Sequence, residues 1–292
     1  MLLLLERLPA PANHIDPLEQ IAAARADGHT LIMATVYEAN DQPHRVGQRI
    51  TLTTAPGGNV LQSDPGVSSG LIAALRTSLD AAPTWRRPRS VSVDTDQGQI
   101  TALVEAIAPP PQLLILGAGD DAQPLAAMAS TTGWRVQVAD KWPALATAAR
   151  FPTAQVTCAP IEGLLADLKP NAHTYAVVMT HSFNDDLILL PDLLRSEVAW
   201  IGLMGPRRRT MNLMRTLVAD GRLPDPEALA RVQTPVGLDL GADAPEEVAV
   251  SILGGVVAAR NGRAGGLLRD RNDGAIHEPH THIRATHPKT QP

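Results

Sequence analysis

The chain reads as an α/β protein, with a doubly wound parallel sheet in its C-terminal part and a smaller α+β domain before it. Three observations lead there. From Gln112 onward, short apolar runs alternate with helical patterns at the spacing of strand–helix–strand units, whose strands run parallel and are covered on both faces. The first of these runs, QLLILGAG, ends in a glycine turn that opens a helix. Ahead of it stand Pro109, Pro110 and Pro111, which continue neither a helix nor a central strand and form a stiff connector. The boundaries therefore fall at 1–107 for the first domain, 108–111 for the linker and 112–270 for the second domain. Residues 271–292 read as a loose polar tail.

In the first domain, Leu18 to Ala26 has helical character and is closed by Asp27-Gly28. HTLIMATVYEA is rich in β-formers, and RITLTT alternates like a half-buried strand. Pro56-Gly57-Gly58 marks a turn, Leu71 to Leu79 a short helix, and SVSVDTD a further strand. In the second domain a helix from Ala122 to Thr131 follows the glycine turn, and a strand from Arg135 ends at Asp140. A helix over 142–149, a weak strand at Gln155 to Thr157 and a helix over 161–168 come next. The strand TYAVVMT leads to a helix over Asp186 to Arg195. The strand VAWIGLMG leads to a helix with Pro206 at its start and Gly221 past its end. A final helix, about 245–260, opens with Pro245-Glu246-Glu247, carboxylates that suit the positive end of a helix, and buries Val248, Ile252 and Val256.

Composition narrows the function. A net charge of −5 excludes a generally basic nucleic-acid binder, and 3% aromatic residues leave little for a base-stacking platform. With Cys158 as its single cysteine, the chain builds no intrachain disulfide and no cysteine cluster for zinc or iron–sulfur. The apolar run at the N-terminus stops at Glu6, short of a signal-peptide core or a membrane span, so a cytoplasmic protein without a membrane partner is expected.

Candidate site residues lie at strand ends. Gly117 and Gly119 belong to a G-x-G-x-x-A turn between strand and helix, the setting of a dinucleotide fingerprint, and Asp140 ends the next strand where a ribose-binding acid is expected. Asp120 and Asp121 stand where a pyrophosphate would meet the helix, and a carboxylate there can also cap those N–H groups itself. The turn therefore reads either as a nucleotide site or as a Rossmann turn kept for folding alone. His181, in THSFNDD at the end of the fourth strand, is a candidate acid, base or hydrogen-bond donor with Asp186 one turn away; equally, Ser182 or Asp185 caps a helix and His181 packs beside it. Gly205 and the arginines Arg207, Arg208 and Arg209 open a helix. Cations there are misplaced unless an anion joins them or the solvent takes them, and Arg207 and Arg208 are the expected anion contacts. Cys158 reads as a buried or indifferent thiol rather than a nucleophile. His277, His280, His282 and His287 suit a polar tail better than a metal site.

The segments LLILGAGDDAQPLAAMASTTGWRVQVAD, VVMTHSFNDD, WIGLMGPRRR and TPVGLDLGADAPEEVAVSILGGVVAAR together resemble, in order, the C-terminal Rossmann domain of the XdhC/CoxI family, accessory factors of xanthine dehydrogenase and related molybdenum hydroxylases. In the N-terminal part, Arg45, Gly47 and Arg49 match the family's pattern. The stretch Pro65 to Leu71 stands where that family carries Gly-Gly-Cys-Leu-Glu and has neither the Cys nor the Glu. Ser182 replaces the usual Asp or Asn, and Asp120 the frequent His. The resemblance implies a maturation chaperone rather than an enzyme. Such a protein binds molybdenum cofactor, as molybdopterin or its nucleotide form, without a covalent bond. Its partners would be a cysteine desulfurase and an apo molybdenum hydroxylase, and a homodimer is compatible with it. Two other readings remain: an NAD-dependent oxidoreductase using Gly117, Gly119, Asp140 and His181, and a docking protein that no longer binds the cofactor.

Overall fold

A computed structural model describes residues 13–40, 45–55, 57–85, 87–95, 98–222 and 226–270, together with the backbone of 282–285. The chain forms two compact units, 1–109 with 274–292, and 110–273.

The first unit begins with α1 (Pro17–Asp27). Asp16 caps it by accepting from the Leu18 and Glu19 N–H groups, and Gly28 ends it in the left-handed conformation. Strands β1 (Thr30–Ala39), β2 (Arg49–Thr54) and β3 (Val60–Ser63) precede α2 (Ser69–Ala81), and β4 (Arg89–Thr95) and β5 (Gly98–Ile107) follow it. The alternation along β1 sends Leu31 and Met33 against Ala24 of α1, and Ile32, Ala34 and Val36 against Leu71, Leu75 and Leu79 of α2. Two strands are not expected from sequence. β3 is short and half exposed, and β5 runs straight toward the prolines yet pairs with both β1 and β4. The tail also departs from expectation. Residues His282–Ala285 form a strand, β12, parallel to β4 at the sheet edge, giving the order β12-β4-β5-β1-β2-β3. His277, His280 and His287 lie outside the described residues.

The second unit follows the expected alternation. Its elements are β6 (Gln112–Leu116), α3 (Ala122–Thr131), β7 (Arg135–Asp140), β8 (Gln155–Cys158), α4 (Leu164–Leu168), β9 (Thr174–Val178), α5 (Phe183–Arg195), β10 (Trp200–Leu203), α6 (Arg207–Ala219), β11 (Val232–Gln233) and α7 (Pro245–Arg260). All strand pairs are parallel, in the order β11-β10-β9-β6-β7-β8. Counted within this unit the order is 3-2-1-4-5-6, the doubly wound arrangement, with its reversal between β6 and β9. Leu113 and Ile115 face α3 and α7, while Leu114 and Leu116 face α4, α5 and α6.

Two expected helices do not hold. Residues 142–149 form turns, because the Thr147 hydroxyl accepts from the Arg150 N–H and competes with a helical ladder, while Phe151 is drawn into the core. The helix expected over 161–168 is confined to Leu164–Leu168, since Gly163 is left-handed at its start.

Candidate functional site

The reversal point of the sheet brings Gly117, Gly119, His181, Asp186 and Gly205 together at the carboxyl ends of β6, β9 and β10, and leaves Arg207 and Arg208 outside. Gly117 is left-handed, with φ at +114°, and a Cβ there would lie 2.4 Å from the Met179 carbonyl oxygen. Only glycine lets the turn after β6 cross the end of β9. At Gly119 the same construction meets nothing nearer than the His181 ring, at 3.8 Å, so this glycine is not demanded by packing.

Asp140 works inside the fold. One carboxylate oxygen accepts from the Ala118 N–H at 2.7 Å and the other from the Trp142 N–H at 3.0 Å, and the residue is buried. It pins the glycine turn. The two aspartates that follow do not cap α3 with their side chains. Asp120 reaches outward to Arg150 at 2.8 Å, and Arg150 also donates to the Ala118 carbonyl. Asp121 Oδ2 lies 3.5 Å from His181 Nε2.

His181 has a φ of +56°, a left-handed backbone that an L residue rarely adopts. Its imidazole lies mostly in solvent, near the turn after β6 and across from the loop that carries it. Of the readings foreseen for this loop, the helix cap is present. Ser182 caps α5 by accepting from the Asp185 N–H, and His181 lines a cleft. Asp185 is taken by Lys141 at 2.7 Å.

That cleft, of about 200 Å³, opens between the ends of β9 and β10 and is lined by Thr180, His181, Asp186, Met204, Gly205 and Arg209. Asp186, with 8% of its side chain exposed, is its anchor. It accepts from the Thr180 hydroxyl at 2.6 Å and from Arg209 Nη2 at 2.6 Å. The stem of Arg209 crosses Gly205, where a Cβ would stand 3.2 Å from Arg209 Cδ.

Arg207 and Arg208 are exposed, and the third arginine enters the cleft. The reason is helical phase: Leu213 and Leu217 define the buried face of α6, and four residues before Leu213 is Arg209. The same register argument could have singled out Arg209 in the sequence. Thr180 and Arg150 carry no such signal, and only the folded loops show their contacts. The first turn of α6 has no side-chain cap, its flanking residue being Pro206. A larger cavity of about 500 Å³ lies beside α3, between Phe151 and the start of α7, with Asp120, Arg150 and Glu246 among its lining residues. Among the described residues, no group of His, Cys, Asp and Glu side chains could hold a metal, and no helix is long and apolar enough to cross a membrane.

A glycine turn at the reversal of a parallel sheet, with an uncapped helix start and a guanidinium across from it, defines a Rossmann-type domain. Residues 113–256, just under half of the chain, match the model of the XdhC Rossmann domain, so the second unit carries a domain of that type. Over 158 residues the chain is 36% identical to a probable xanthine dehydrogenase subunit of Bacillus subtilis (strain 168), covering 54% of this chain and 45% of that one. Over 177 residues it is 29% identical to YqeB, an uncharacterized protein of Escherichia coli (strain K12), covering 59% of this chain and 31% of that one. The matched regions thus span less than half of either relative. A crystal structure of a protein described as a xanthine dehydrogenase from Bacillus halodurans shares the fold. Its TM-score is 0.51 at 20% identity, over 85% of this chain and 94% of that one.

Proposed function

We propose that this protein is an accessory factor of a xanthine dehydrogenase-type molybdenum hydroxylase, and that its second unit holds molybdenum cofactor, as molybdopterin or a nucleotide form, by the phosphate. The observation that carries the proposal is Arg209. It sits at the lip of the cleft beside the uncapped start of α6, held by the buried Asp186 through one of its five N–H donors, which leaves other donors at the opening for a guest. A guanidinium fixed beside open helix N–H groups is suited to a phosphate.

The cleft, at about 200 Å³, is smaller than the roughly 300–1,000 Å³ of sites that enclose whole small molecules, so it suits the anionic end of the cofactor with the remainder outside. When bound, the cofactor supplies the molybdenum and the site for sulfur that the hydroxylase later uses. This chain's residues contribute only holding. Thr180 and Asp186 orient Arg209, Gly205 gives its stem room, and His181 faces the opening. The sulfur would come from a cysteine desulfurase, and an apo hydroxylase would receive the loaded group.

The test is retention. Protein mixed with free cofactor and passed through a desalting column keeps molybdenum and pterin together if the proposal holds. Loss of both, with stable association to a hydroxylase subunit, would instead identify a docking protein.

A further inference from the structure

We infer that the exposed face of α6 is a docking surface for an acidic amphipathic helix of a partner protein. This stands apart from the cofactor reading, since it uses the two arginines that the cleft leaves outside.

The 13 residues of α6 include no carboxylate. Arg207, Arg208, Met211, Arg215 and Val218 are all exposed, and at 3.6 residues per turn they fall within an arc of about 100°. Leu213 and Leu217 take the far side, in the core, and Arg209 turns away into the cleft. The exposed stripe runs about 16 Å along the helix, at about 1.5 Å per residue. Met211 is 54% and Val218 61% exposed. Seven residues apart, they repeat at one position of a heptad, with arginines on both flanks. Among the described residues, none of Arg207, Arg208 and Arg215 forms an ion pair. Arg207 and Arg208 also stand in the first turn, where open N–H groups already carry positive charge, so cations are unfavourable there until an anion joins them. Three unpaired cations around two bare apolar side chains, on a chain of net charge −5, are gathered rather than scattered.

The pattern selects the occupant. Nucleic acid phosphates would meet the arginines but have no use for Met211 and Val218, and α6 carries no aromatic side chain on which a base could stack. A lipid surface takes up the apolar face of an interfacial helix, and here that face, with Leu213 and Leu217, is spent on the core. A helix with an apolar stripe flanked by carboxylates answers both parts. Its stripe covers Val218 and Met211, whose thioether side chain adapts to varied neighbours. Its carboxylates reach the arginines on either flank, the charge pairing that sets partner choice between packed helices.

The experiment uses the whole protein and a fluorescein-labelled synthetic helix of heptad repeats, with leucine along its seam and glutamate on both flanks. Binding is read by fluorescence anisotropy at low ionic strength. The unaltered chain is expected to bind this peptide saturably. A version with serine in place of leucine should bind at least about tenfold more weakly, and one with lysine in place of glutamate should not bind. Arg208→Glu with Arg215→Glu should weaken binding of the acidic peptide by at least about tenfold, and Met211→Ser with Val218→Ser by about fivefold. All four side chains are exposed, so circular dichroism should show both variants folded. No binding by the unaltered chain overturns the inference. So does a folded variant of either pair that keeps the full affinity, or a serine peptide that binds as well as the leucine one. Phosphatidylglycerol vesicles or a DNA duplex that bind more tightly than the acidic peptide, and lose that binding with Arg208→Glu and Arg215→Glu, would overturn it as well.

Discussion

Gly117 and Gly119 stand two residues apart in the same turn, yet the structure gives them opposite mechanical roles, and alanine at each separates them. In Gly117→Ala the new Cβ would lie 2.4 Å from the Met179 oxygen, 2.6 Å from its carbonyl carbon and 2.9 Å from the Thr180 Cα, all backbone atoms that no rotamer change can move. Holding alanine at a φ of +114° costs about 1–3 kcal/mol in backbone strain. Pushing the ends of β6 and β9 apart costs about 1–3 kcal/mol more, by analogy with overpacked cores. A loss of about 4 kcal/mol lowers the melting temperature by roughly 8–16 °C, at about 2–4 °C per kcal/mol for a unit of this size. Gly119→Ala meets only the His181 ring, at ordinary contact distance. Lower chain entropy in the unfolded state makes that variant as stable as the parent, or more so by up to about 1 kcal/mol. Urea denaturation followed by far-ultraviolet circular dichroism measures both. If Gly117→Ala loses less than about 1 kcal/mol, or Gly119→Ala loses as much as Gly117→Ala, the crossing of the two strand ends is wrongly described.

Further outcomes follow from the same contacts. Asp140→Ala leaves the buried Ala118 N–H and the partly buried Trp142 N–H without their acceptor and should cost about 1–3 kcal/mol for the first and less for the second in urea denaturation; an unchanged midpoint would show that the carboxylate does not pin the turn. His181→Gly should be more stable than His181→Ala by about 1 kcal/mol, because only glycine relieves the left-handed backbone; the reverse order would contradict that conformation. Burial holds the Glu105 carboxyl above its usual range near 4.5, so the folded state retains the proton longer than the unfolded chain and loses stability as pH rises through that window. Glu105→Gln should therefore raise the melting temperature at pH 7 and give no gain below about pH 4; an equal gain at both would remove burial of the charge as the cause.

The second unit is legible in the sequence because its strands are continuous apolar runs bounded by glycine and helix-start signals, and the first unit is less so. β5 carries alanine and glutamate among its apolar residues and ends beside the prolines, so it reads as an approach to a linker until β1 and β4 claim its two edges. The strand at His282–Ala285 is legible only through its pairing with β4, because four residues in a polar stretch carry no periodicity. At the site, Gly117, His181, Asp186 and Gly205 stand out by their position at strand ends. Asp140 does too, though what it holds is the turn. Arg207 and Arg208 draw notice for their charge next to a helix start, and charge alone does not say which way a helix faces. The apolar register of Leu213 and Leu217 does, and it selects Arg209.

The most direct measurement is the dissociation constant of free molybdenum cofactor for three proteins: the unaltered chain, Arg209→Gln, and Arg207→Gln with Arg208→Gln. Arg209→Gln should weaken binding by about 10- to 150-fold, the worth of one charge-assisted hydrogen bond of about 1.5–3 kcal/mol, while the exposed pair changes it by less than about threefold. Equal affinity for the unaltered chain and Arg209→Gln, or a loss confined to the Arg207–Arg208 variant, would contradict the cleft between β9 and β10 as the place where the phosphate is held.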